Sequence, residues 1–121
     1  MPTFDPFDVV AVPFPYGDRE ILKRRPTVVV SRARLMLDHG LVWVVMVTSA
    51  ANELWAQDIP ILDLVAAGLP KPSVVRACKI ATVEAARCER IGQLPDETAD
   101  ALAALLSGTI AVDTRRPHGR P

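Results

Sequence analysis

Hydrophobic residues in this chain come in short β-branched runs separated by polar turns, and only near the C-terminus does their spacing lengthen to that of a helix. Asp8-Val9-Val10-Ala11-Val12-Pro13-Phe14 predicts a first strand, with Pro13 marking an edge or a strand end. A long polar loop over 15–25 follows, opened by Pro15-Tyr16-Gly17-Asp18. Pro26 to Ser31 is a second strand and Leu41 to Thr48 a third. The unbroken hydrophobicity of the third predicts that both its faces are covered, or that it lies at the centre of a barrel. Residues 49–57 read as a loop, Asp58 to Leu62 as a short strand, and Leu64 to Pro70 as one helical turn stopped by Gly68 and Pro70. Ser73 to Val83 alternates imperfectly and predicts a long strand, with Gly92 marking a bend near its end.

The helix is the clearest element. Pro95 suits its first position, where a missing N–H costs nothing. Asp96 and Glu97 then favour the positive end of the dipole. Leu102, Leu105, Leu106 and Ile110 share one face, and Gly108 weakens or ends the helix. Short strands plus one C-terminal helix predict a mainly β fold, a small barrel capped by that helix.

A chain of 121 residues forms one domain, here placed at 1–112. The tail 113–121, rich in arginine and proline, is expected to be disordered. Half the residues are hydrophobic, yet no run approaches a membrane span. The N-terminal stretch carries Asp5 and Asp8 and no base before Arg19, unlike a signal peptide, so a cytoplasmic location is expected. Cys78 and Cys88 have no partner pair and no matching histidines, which predicts ordinary thiols and no metal or disulfide framework.

The formal charge is zero, but it is laid out in blocks. Residues 19–34 carry six bases against Glu20, and 71–90 carry five bases against two acids. The intervening segments 35–70 and 91–114 carry four acids each and no Lys or Arg. Two outcomes follow: folding joins the basic blocks into a patch for a polyanion, or acidic blocks neutralise them.

Lys23-Arg24-Arg25-Pro26 concentrates this chemistry. The residue before a proline is pushed into an extended conformation, so Arg25 is held where loop becomes strand. Its planar fork matches the oxygens of a phosphodiester.

Taken in order, several segments resemble the PemK/MazF toxins of bacterial toxin–antitoxin pairs. They are Asp8–Phe14, Lys23–Ser31 with its Arg-Pro step, Val45-Met46-Val47-Thr48-Ser49, Ser73–Arg76 through Ile80–Val83, and Ile91-Gly92-Gln93-Leu94-Pro95 before the acidic helix start. The resemblance covers about residues 7–110. It implies an SH3-like antiparallel barrel with a C-terminal α-helix, a homodimer, and a metal-independent endoribonuclease, without a cofactor, acting on single-stranded RNA. It also implies a cognate antitoxin whose disordered tail lies across the dimer near the active sites. By the resemblance, Arg25, Thr48 and Arg76 are the catalytic candidates. Lys23, Arg24, Ser49, Lys79 and Tyr16 are the candidates for RNA contact. Cys78 stands where many members carry an aspartate, so the resemblance assigns no base here.

In such a reaction the substrate's own 2′-hydroxyl attacks the phosphorus. Arg25 and Arg76 would stabilise charge on the phosphorane, and Thr48 would add an orienting hydrogen bond. Arginine is a poor base at neutral pH. His39, His118, Glu20 and Cys78 are the remaining groups able to move a proton. More ordinary roles stand beside these: Thr48 as a strand end, Arg76 paired with Glu84 or Glu89, and Trp43 and Trp55 in a core or interface. A different class of function on the same barrel is a binding module or a toxin that poisons gyrase by binding it.

Overall fold

The computed structural model describes residues 3–13 and 24–112. Phe14, Tyr16, Glu20, Lys23 and the tail 113–121 lie outside the described residues. Among the described residues six strands form one antiparallel sheet: β1 (Asp8–Pro13), β2 (Arg24–Val29), β3 (Leu41–Ser49), β4 (Ile59–Pro60), β5 (Ser73–Glu84) and β6 (Glu89–Gln93). Their spatial order is β4-β5-β3-β2-β1-β6. Among the described residues α1 (Ala33–His39) and α2 (Leu64–Ala67) lie in connections between strands, a 3₁₀ turn at Ala85–Arg87 links β5 to β6, and α3 (Asp96–Thr109) follows the last strand. The sheet is curled into a half-barrel with the helix at its C-terminal end; the mainly β class and the C-terminal helix are as expected, and the barrel is open.

β3 is central and covered on both sides. Val45 and Val47 enter one core with Val9, Val28, Val75 and the α3 residues Ala99 and Leu102. Val42 and Val44 enter a second core with Val10, Val12, Val29 and Met36 of α1. Alternation along a strand splits its side chains between the two faces, so an unbroken apolar run serves both.

Four local readings change. α1 occupies a stretch to which the hydrophobic pattern assigned no element; Gly40 ends it in the left-handed region, at φ 69, its N–H donating to Met36 O at 2.7 Å. Glu89–Gln93 is a separate edge strand paired with β1, beyond the bend expected there. Pro95 sits one residue before α3 rather than inside it. Gly108 lies within α3, which runs on to Thr109.

α2 brings the β4 side of the sheet to β6. A Cβ on Gly92 would collide with the backbone of Ala66 and Ala67, so the two segments touch main chain to main chain. We predict that Gly92→Ala lowers stability by about 1–3 kcal/mol, the usual cost of overpacking, read from the denaturant midpoint.

Candidate active site

The antiparallel register of β2 and β3 builds the site. Thr27 lies opposite Met46. Two residues further along each strand come Arg25 and Thr48, at the same end of the sheet. β5 adds Ser73 opposite Ser49 and Val74 opposite Thr48. Together these strand ends line a cleft of about 270 Å³ with Arg24, Pro26, Val47, Asn52, Leu69, Pro70 and Lys71.

Arg24, Arg25 and Lys71 are the charged residues among the described lining residues. These three cations make the described lining basic. Arg24 also ties the rim to the rest of the sheet. Its guanidinium donates to Ala11 O at 3.0 Å and lies 3.6 Å from Glu89.

The turn after β3 is held by its own side chains. Ser49 Oγ accepts from Ala51 N at 3.2 Å, and Asn52 N donates to Ser49 O at 3.1 Å. Asn52 Nδ2 then donates back to Thr48 Oγ1 at 2.9 Å.

Arg76 is placed differently from Arg25. Its side chain is 7% exposed and clamps the segment between β3 and β4. Nε and Nη2 donate to Asp58 Oδ1 and Oδ2 at 3.1 and 2.9 Å. Nη2 also donates to Glu53 O at 2.9 Å. The Trp55 ring lies 4.3 Å from Arg76 Cζ, with Lys79 Nζ 5.2 Å from the same ring. Hydrogen bonds from Arg76 draw the Asp58 carboxyl below its ordinary pKa of 3.8, against the opposing effect of burial.

The fold and this cleft can be set against known proteins. The model of the PemK-like, MazF-like toxins of type II toxin–antitoxin systems matches residues 5–109, nearly the whole chain. The chain belongs to the PemK/MazF toxin family.

Solved relatives share the toxin's fold. MazF from Deinococcus radiodurans superposes with a TM-score of 0.70 at 21% identity, over 90% of this chain and 97% of that one. A mycobacterial endoribonuclease crystallised with its cognate antitoxin gives 0.69 at 16% identity, over 95% and 100%. The Mycobacterium tuberculosis toxin MazF-mt6 gives 0.63 at 26% identity, over 89% and 98%. Among curated protein sequences none matches.

In this toxin the cleft gathers Arg24, Arg25, Thr48 and Ser49 from the sequence candidates. Arg76 and Lys79 are not among the described lining residues; they flank Trp55 instead. Arg76 forms a buried ion pair with Asp58, where Glu84 or Glu89 is the partner expected from the sequence. Cys78 is exposed and borders a separate depression with Asp58, Leu105 and Thr109. Burial pushes the Cys88 thiol up to about 11, as suits an inert core thiol. His39 is exposed at the end of α1. Asn52, Leu69, Pro70, Lys71 and Ser73 line the cleft without having been singled out in the sequence.

Proposed function

We propose that this toxin is a metal-independent endoribonuclease that cleaves single-stranded RNA by attack of the 2′-hydroxyl, with Arg25 and Thr48 at the scissile phosphate. The observation that carries this reading is that Arg25 and Thr48 line one cleft whose described lining also carries Arg24 and Lys71. Arg25 sets a bidentate fork against the non-bridging oxygens and stabilises charge as the phosphorane forms. Thr48 adds a hydroxyl hydrogen bond to the same group. Arg24 and Lys71 hold the flanking phosphates, and Ser49 fixes the turn beneath them. Lys23 and Tyr16, on the segment before β2, and Lys79, beside Trp55, extend the RNA contact. Positioning and electrostatics carry the reaction. We assign Arg76 to holding the loop that completes the cleft, not to proton transfer.

The toxin acts in the cytoplasm with a cognate antitoxin. It works as a homodimer. Leu102 of α3 is spent inside its own core, so the dimer surface is the apolar area of Trp43, Ile80, Ala81 and Ile110. Trp43, Ile80 and Ile110 are 45%, 49% and 42% exposed, an unusual concentration on a small protein. Sedimentation at micromolar concentration should show a species of twice 13.2 kDa, and Trp43→Arg should return it to the monomer.

The reading is tested by incubating the purified protein with a long single-stranded RNA in EDTA and mapping the new ends. It requires discrete cuts leaving 5′-hydroxyl and 2′,3′-cyclic phosphate ends. Growth arrest on expression without any cleavage would turn the assignment to a toxin that acts by binding a protein.

A further inference from the structure

We propose that Asn52 is a positioning residue that fixes the Thr48 hydroxyl as a hydrogen-bond donor to the RNA phosphate; this rests on the endoribonuclease reading of the cleft. A threonine hydroxyl has one proton to give and two lone pairs to receive with. Asn52 Nδ2 can only donate, so the 2.9 Å bond makes Thr48 Oγ1 the acceptor and leaves the hydroxyl proton for another group. In the cleft that other group is the anionic phosphate held by Arg25. A hydroxyl that already accepts a hydrogen bond is polarised and donates more strongly.

Asn52 is itself held in place from two sides. Its N–H bonds to Ser49 O at 3.1 Å, closing the turn that returns it to Thr48. The adjoining Glu53 carbonyl is gripped by Arg76 at 2.9 Å, and Arg76 is anchored on Asp58. A chain of contacts thus runs from the buried ion pair through the loop to the hydroxyl. This gives Arg76 an effect on cleavage without contact with RNA.

The test is a double-mutant cycle on RNA cleavage with Asn52→Ala, Thr48→Ala and the pair, joined to the side-chain amide NMR signals of Asn52. Asn52→Ala should lower kcat by about three- to tenfold, the size of one lost hydrogen bond, with KM and melting temperature nearly unchanged. In the Thr48→Ala background the same change should have no further effect. The amide signals of Asn52 should move in Thr48→Val. An equal loss in both backgrounds, a loss confined to KM, or unmoved amide signals would overturn the proposal. If the wild type cleaves no RNA, the endoribonuclease reading and the catalytic role of Asn52 fail together. The amide signals then still show whether the bond to Thr48 exists.

Discussion

Arg25→Ala is expected to abolish RNA cleavage, lowering kcat by about 10²- to 10³-fold or more, as when a preorganised donor to a developing oxyanion is removed. The protein should still fold. Arg25 is exposed at the second position of β2, immediately before Pro26, and exposed positions of this kind change stability by about 0.5 kcal/mol or less. Pro26 keeps the backbone extended whatever residue precedes it. Arg25→Lys should fall between wild type and alanine. A lysine keeps the charge but offers a point where the phosphate needs a planar fork. Retained cleavage in Arg25→Ala, measured against an unchanged melting curve, would remove Arg25 from the reaction.

Asp58→Ala is expected to be among the more damaging single changes to stability. Asp58 and Arg76 are 5% and 7% exposed, and breaking such a pair leaves one buried charge without its counterpart. The usual cost is about 3–5 kcal/mol, or roughly 10–20 °C in melting temperature for a domain of this size. Because the folded carboxyl titrates below its ordinary value of 3.8, the pair contributes fully above that value. Its contribution is lost as pH falls through the lower folded value. The gap in stability between wild type and Asp58→Ala should therefore close in strongly acidic solution. This variant also separates two roles for Arg76. If Arg76 delivers a proton to the leaving oxygen, Arg76→Ala loses cleavage and Asp58→Ala loses much less. If it clamps the loop, both variants lose stability by similar amounts and lose cleavage together.

The β elements were readable where burial imposes a period. β1, β3 and β5 carry apolar positions that the two cores demand, and α3 carries an acidic first turn and Leu102 at helical spacing. α1 was not readable, because Met36 is its one fully buried residue, with only Ala33 packed beside the core as well. β6 reads Glu-Arg-Ile-Gly-Gln, a sequence without alternation, and it joins the sheet through backbone pairing with β1 and the close approach of Gly92 to α2.

The site divides the same way. Arg25 stood out as a candidate because Pro26 fixes the backbone beside it, and Thr48 only through the resemblance to the PemK/MazF toxins. Arg76 stood out through the same resemblance, but its partner Asp58 did not. Asp58 reaches it only because the chain turns back between Trp55 and Asp58, where Trp55 N donates to Asp58 Oδ2 at 2.8 Å and Gln57 takes a φ of 71. Asn52 lies four residues after Thr48 in a loop, where spacing carries no information about contact.

The most direct test of RNA cleavage by 2′-hydroxyl attack at the Arg25 cleft uses two matched oligonucleotides in EDTA. One is all RNA across a mapped cut, and the other has a single 2′-deoxy nucleotide at the attacking position. We expect both to bind with similar affinity, and only the all-RNA strand to be cut. Equal cleavage of the two, or cleavage of neither, would contradict it.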